Sequence, residues 1–276
     1  MQESELSSWV GRRMESEALI EPSHVRRVAR TLDLDAPDDA SPLPKLWHWA
    51  FFTESMSTAE LGGDGHPPVG GFLPPSQGRS RMWAGGRVAF HRPLMSGAMA
   101  TKASTVTAVK EKPGRTGSLL FVTVKHEYLQ AGELAIDEEQ DIVYRTPAPP
   151  RLDASAESAP PSEWEESIVP STTLLFRYSA VTFNTHRIHY DFPYATDVEG
   201  YPGLVVHGPL IATLMLGAFE RAHARADVAR FSYRGLRPLF APRLFQVAGH
   251  MSASQLAEVW AQQDGLLAHR ADITLR

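Results

Sequence analysis

The sequence predicts an α+β protein of two similar units, each an antiparallel sheet wrapped around a central helix. Residues 146–170 have a linker's composition and divide the 276-residue chain into pieces of about 145 and about 105 residues, each of ordinary domain size. Strands with apolar–polar alternation close both pieces, and a helix in the second is apolar on every side, as an enclosed helix must be.

The elements follow in order. The stretch SHVRRVARTLDL, residues 23–34, reads as an amphipathic helix with Ser23 as its N-cap. In LLFVTVKHEY, residues 119–128, Leu120, Val122 and Val124 face one way while Thr123, Lys125 and Glu127 face the other. A second strand, residues 134–144, follows a Gly turn. The linker reads TPAPPRLDASAESAPPSEWEESIVP and offers little to bury. Residues 209–224, PLIATLMLGAFERAHA, form the enclosed helix, with Pro209 at the favoured first position. Strands over 257–263 and 266–276 flank Asp264-Gly265, which supplies the positive φ angles of a tight hairpin. In the last strand Leu267, Ala271, Ile273 and Leu275 alternate with Arg270, Asp272 and Thr274. The pieces also share an echo: FHRPLMSG at 90–97 and GLRPLFA at 235–241 each place Arg-Pro-Leu before a β-rich run, as an internal duplication would. One helix in a curved antiparallel sheet is a hotdog. The expected fold is therefore a double hotdog, with residues 1–145 and 171–276 as its units.

Bulk properties narrow the function. A net charge of −5 argues against nucleic acid, so an anionic ligand needs a local Arg or Lys cluster. The absence of cysteine removes disulfides, thiolate nucleophiles and Cys-based zinc sites together. No window approaches the ~18 apolar residues of a membrane span, and MQESELSSWVGRRMESEALIEP has no secretory h-region. A cytoplasmic protein is expected.

The chemistry concentrates in residues 176–215. Asn184, His186, Arg187, His189, Asp191 and Tyr194 precede His207-Gly208-Pro209, which opens the enclosed helix. A core alone has no use for two polar clusters beside an apolar helix, because buried polar groups cost free energy unless paired. The run Asn184-Thr-His186-Arg187-Ile188-His189-Tyr-Asp191, then Tyr194-Ala195, then His207-Gly208, resembles the hydratase motif of the MaoC-like family of (R)-specific enoyl-CoA hydratases. The closest subgroup in pattern contains 3-hydroxyacyl-thioester dehydratases and mesaconyl- or itaconyl-CoA hydratases. Trp47-His48-Trp49, Asp64-Gly65-His66-Pro67 and Met82-Trp83-Ala84-Gly85-Gly86-Arg87 extend that likeness over the first half.

The resemblance implies a hydro-lyase on an acyl-CoA, needing no cofactor and no metal, with a short branched dicarboxylic substrate or a fatty-acid-type 3-hydroxyacyl thioester. Its residues are His189, Asn184 and Gly208. Histidine, with a pKa near ~6.5, can take a proton from water at neutral pH. The Gly208 N–H, at the positive end of the helix, can stabilise a thioester enolate, a role worth roughly 3–4 kcal/mol for a well-aimed donor. Asn184 stands where the family has a catalytic Asp; a carboxamide cannot act as a base, so it is expected to hold the water or the thioester, or only to order the loop as an Asx turn. His207 and Arg187 are candidate substrate contacts, though His207 also reads as a structural hydrogen bonder and Arg187 as a partner for Asp191. CoA phosphates would fall to Arg79, Arg81 and Arg87, or to Arg230, Arg234, Arg237 and Arg243.

Two rivals remain: a non-catalytic acyl-thioester-binding module, and a metal hydrolase using His186, His189 and Asp191. The first half, with no copy of the His189 motif, is expected to shape the acyl tunnel, giving one site per chain. Further homo-oligomerisation is compatible with this plan.

Overall fold

The computed structural model describes residues 6–114, 117–146 and 157–276. Each half repeats one plan. The first runs β1 (Arg13–Leu19), α1 (Pro22–Thr31), a 3₁₀ turn (Trp47–Ala50), then β2 (Ser80–Phe90), β3 (Met99–Gly114), β4 (Gly117–Gln130) and β5 (Glu133–Arg145). The second runs β6 (Trp164–Ile168), α2 (Thr172–Val181), α3 (Gly208–Ala222), then β7 (Val228–Gly235), β8 (Phe245–Ala253), β9 (Leu256–Gln263) and β10 (Leu266–Leu275). The strands join in one ten-stranded antiparallel sheet, ordered β1-β3-β4-β5-β2-β7-β10-β9-β8-β6. The seam is β2 against β7, from Gly85 opposite Arg234 to Ala89 opposite Arg230.

The Arg-Pro-Leu echo marks the same backbone corner twice. The His91 and Arg92 amides donate to the Ala135 carbonyl, and the Leu236 and Arg237 amides donate to that of Ala268. Leu43 N–H reaches the Leu94 carbonyl just as Val206 N–H reaches that of Leu239.

Helix α3 is the enclosed helix. Leu210, Ile211, Met215, Leu216 and Phe219 are buried along it, and side chains of this size contribute about 1.5–3 kcal/mol each when withdrawn from water. It packs on β7, β8, β9 and β10. The first half has no helix of this kind at the matching place. Helix α3 starts two residues past Val206, whereas past Leu43 the chain makes only the Trp47–Ala50 turn, four residues on. Helix α1 packs instead on α2. Its cap is not Ser23. Pro22 is the first helical residue, so the cap falls on Glu21, whose carboxylate accepts from the Ser23 amide at 3.2 Å and the His24 amide at 3.0 Å.

The expected hairpin forms, with φ of 55° at Asp264 and 75° at Gly265. Part of the expected linker is a strand. Trp164–Ile168 pairs with β8 at the sheet edge, and the Trp164 ring fills the space a side chain at Gly249 would occupy. Its Glu165 and Glu166 gave it a solvated composition, which is common in edge strands. The remainder of that expectation falls partly on residues 147–156, outside the described residues.

Candidate active site

The loop after α2 builds the site. Phe183 takes a positive φ of 51°, and the Asn184 amide returns to the Ser179 carbonyl at 2.8 Å, reversing the chain. The Asn184 side-chain carbonyl then accepts from the His186 amide at 3.0 Å, an Asx turn. Its Nδ2 donates to no protein group among the described residues. A 3₁₀ turn over Arg187–His189 follows. The Arg187 guanidinium donates to Asp191 at 2.9 and 2.8 Å and to the Gly63 carbonyl at 2.9 Å, and lies 4.1 Å from the Tyr194 ring centre. Its donors are committed to the fold. Asp191, held below the usual carboxylate range by Arg187, also accepts from the Tyr194 amide, so it is no substitute base.

His189 is 7% exposed, and its Nδ1 lies 2.8 Å from the Val205 carbonyl. A carbonyl only accepts, so Nδ1 carries the proton and Nε2 keeps its lone pair. Burial, and then His186, push the ring's pKa down to about 3, so the imidazole is neutral at physiological pH. The ring stacks on His207 with centres 3.7 Å apart and planes at 19°. His207 immediately precedes α3, and its Nε2 pairs with the Ser179 hydroxyl at 2.8 Å while its buried Nδ1 has no partner. The next residue, Gly208, opens the helix whose first amides have no intrahelical acceptor. A Cβ on Gly208 would lie 2.8 Å from Cε3 of Trp83, so glycine is required by the close approach of that ring from β2. The buried imidazole therefore lies against the residue that precedes the helix, while Gly208 itself is half-buried.

The first half reaches this place with a turn that reads in the sequence as little more than a turn. Gly65, at φ 86°, presses against Thr185 so closely that a Cβ would overlap the Thr185 carbonyl oxygen. Thr185 Oγ1 donates to the Gly65 carbonyl at 2.5 Å, and the Arg187 amide donates to that of Asp64 at 2.9 Å. The His66 ring packs on that of His186, with centres 4.0 Å apart and planes tilted by 37°. Burial, then His66, push His186 down to about 3, with Arg81 among the charges acting the same way. Sequence reasoning thus missed Asp64, His66 and Trp83 as neighbours of the site. The available signal was a polar turn, Asp64-Gly65-His66-Pro67, that a plain turn does not require.

The metal set expected as a rival does not assemble, because Asp191 is tied to Arg187. Asp64, His66 and His186 do offer ligand atoms within 4.8 Å of one another and could hold a divalent ion. Asp64 is nonetheless satisfied within the protein, accepting from the His66 amide and ring at 3.0 Å each, and His66 holds its carboxyl well below the usual range.

The arginines sort themselves. Arg87 lies between Glu139 at 2.9 Å and Asp141 at 2.7 Å, which raise its pKa and neutralise it as a phosphate clamp. Arg79 pairs with Glu111 and Arg243 with Asp264. Arg234 is exposed at the β2–β7 seam with no ion pair among the described residues, and Arg237 carries a buried Nη1 without a partner.

The fold defines a class: a double hotdog, here with a buried, neutral histidine stacked on the residue before its enclosed helix. A family model for hydroxyacyl-thioester dehydratase type 2 matches residues 46–241. The mesaconyl-C(4)-CoA hydratase of Chloroflexus aurantiacus is 40% identical over 279 residues, spanning 100% of this chain and 99% of that protein. The crystal structure of Mycobacterium tuberculosis HtdX superposes with a TM-score of 0.67 at 18% identity, over 95% of this chain and 99% of that one. A second Mycobacterium tuberculosis protein, described as a double hotdog, gives 0.59 at 14% identity over 97% and 96%. The chain belongs to the hydroxyacyl-thioester dehydratase type 2 family, and it is a hydro-lyase acting on acyl thioesters. No helix among the described residues is long and apolar enough to cross a membrane.

Proposed function

We propose that this enzyme interconverts a short, branched, carboxylated 2-enoyl-CoA of the mesaconyl or itaconyl type with its 3-hydroxyacyl-CoA, using His189 Nε2 as the proton-transferring atom. The observation that carries the reading is the Val205 carbonyl at 2.8 Å from His189 Nδ1, which leaves Nε2 as a lone pair beside the start of α3. The identity to a mesaconyl-C(4)-CoA hydratase supports the acyl group.

Each atom has a route. Nε2 takes a proton from water as the oxygen bonds to the β-carbon. The double-bond electrons move through the α-carbon to the thioester oxygen, forming an enolate. The Gly208 N–H donates to that oxygen. The proton on Nε2 then passes to the α-carbon as the thioester carbonyl re-forms. A low imidazole pKa makes the protonated ring a strong acid, so the second transfer is downhill. Asn184 Nδ2 donates to the water or the thioester, and cannot itself accept the proton. Arg81, Arg230, Arg234 and Arg237 are the cations left for CoA phosphates. A cytoplasmic location suits a cysteine-free chain, and one chain, already resembling a hotdog dimer, completes one site.

The test is loss of enoyl absorbance with mesaconyl-C4-CoA, crotonyl-CoA and trans-2-decenoyl-CoA. Turnover of the four-carbon-backbone esters at least about tenfold above the ten-carbon one is expected, as buried charge disfavours a long apolar chain. Negligible turnover of all three would favour the non-catalytic binding module instead.

A further inference from the structure

The first half holds charge where the second half holds a helix. Counted from the two Arg-Pro-Leu corners, Lys102 matches Val247, and their cross-strand partners Tyr128 and Ala261 match as well. Counted from Ala135 and Ala268, Glu138 matches Ala271. Val247, Ala261 and Ala271 are at most 1% exposed in the apolar core, on strands packed against α3. In the first half only the Trp47–Ala50 turn replaces the helix. A cavity of about 210 Å³ remains, bounded by His48, Trp83, Lys102, Tyr128, Gln140 and Pro209, among others. Two of its walls belong to the active site: Pro209 follows Gly208, and Trp83 is the ring pressed on Gly208.

Four of the cavity's lining residues, His48, Trp49, Tyr128 and Gln140, are hydrogen-bonded to one carboxylate. Glu138, with 0% exposure, accepts from His48 Nε2 at 3.3 Å, Trp49 Nε1 at 2.9 Å, Tyr128 Oη at 3.0 Å and Gln140 Nε2 at 2.8 Å. That carboxylate is saturated. Lys102 is not: among the described residues its ammonium has no acceptor within hydrogen-bond distance, only the Tyr128 ring with its centre 5.9 Å away. Burial lowers its pKa, against Glu138 and Glu54, which raise it. His48, 1% exposed, keeps a buried Nδ1 with no partner. An ammonium half-withdrawn from water without an acceptor loses hydration that nothing replaces, and apolar residues fill the same positions in the other half. An acceptor brought in by a ligand replaces it.

We propose that Lys102 receives the distal carboxylate of a short dicarboxylic acyl-CoA, so that the cavity between Trp83, Pro209 and Lys102 is a carboxylate subsite selecting against chains that end in methyl. The proposal rests on the reading that hydration takes place beside His189. Glu138 is the positioning residue that fixes His48, Tyr128 and Gln140 around the subsite.

Succinyl-CoA and butyryl-CoA, equal in backbone length and inert to hydration, test it on the parent enzyme as competitive inhibitors of crotonyl-CoA hydration. Succinyl-CoA is expected to bind at least about tenfold more tightly, from one charge-assisted hydrogen bond. In Lys102→Met the ratio of kcat/KM for mesaconyl-C4-CoA over crotonyl-CoA is expected to fall by roughly 30- to 100-fold, and Lys102→Arg to restore part of it. Equal inhibition by the two esters, or a ratio in folded Lys102→Met within threefold of the parent's, overturns the assignment. Crotonyl-CoA hydration with equal inhibition refutes the subsite alone, whereas absence of hydration with preferential succinyl-CoA binding, read by calorimetry, refutes the catalytic reading alone.

Discussion

His189 can act as a base only if it stays neutral, and its surroundings secure that. An exposed histidine would gain its proton near pH 6.5 and lose activity below it. Burial holds this ring neutral to about pH 3. The rate of hydration is therefore expected to stay level from pH 8 to about pH 5 in a pH–kcat/KM profile; a fall centred near 6.5 would mean an ordinary, solvated imidazole. Asn184 carries a second residue-scale prediction. Asp at this position preserves the Asx turn, since its oxygen also accepts from the His186 amide, but it lacks the Nδ2–H₂ donors. Asn184→Asp should keep its Tm and lose roughly tenfold in kcat, the effect of one misplaced donor. A gain in kcat would show instead that the pocket accepts a second base. Gly208→Ala should cost about 10²-fold in kcat, because its Cβ would push Trp83 or the helix start away from the oxyanion.

At the scale of elements, the first half closes the site through one turn. Gly65 combines a positive φ with backbone packed against Thr185, so Gly65→Ala both strains the turn and lifts it off the loop that carries Asn184 and His189. A loss of about 2 kcal/mol or more in stability is expected, together with a lower kcat; an unchanged melting curve would mean the turn is not anchored there. The strands and α3 were readable because each carries a pattern: alternation over residues 120–124, and unbroken apolarity through Phe219. The Asp264-Gly265 hairpin was readable because positive φ restricts residue choice. The cap at Glu21, the edge strand Trp164–Ile168 and the docking of Asp64-Gly65-His66 on Thr185 were not. Each depends on a partner distant in sequence or on a competing local signal, as Ser23 competes with Glu21. The same limit hid the commitments of Arg87 and Arg187, whose carboxylate and carbonyl partners appear only once the strands and loops are assembled.

On the scale of the whole molecule, two hotdogs share a sheet and only one keeps its helix. The apolar core spans both halves, but among the described residues the fully buried carboxylate, Glu138, lies in the half without the enclosed helix, a difference invisible in composition. Several histidines are buried neutral: His126, His186 and His189 are each pushed down to about 3 and His269 to about 4, all chiefly by burial. The unfolded chain binds protons at these sites near pH 6.5 and the native chain does not. The unfolded state therefore gains as pH falls from about 6.5 toward 3, and stability is lost across that window. Thermal melts between pH 7 and pH 4 should show a steadily falling Tm; a flat profile would mean that these rings are protonated in the folded state.

The most direct measurement is steady-state hydration of crotonyl-CoA and mesaconyl-C4-CoA by His189→Ala beside the parent enzyme, with melting curves to verify folding. A proton-transferring Nε2 predicts a fall of roughly 10²- to 10⁴-fold in kcat on both esters. A folded His189→Ala that turns either ester over within tenfold of the parent rate would contradict the account.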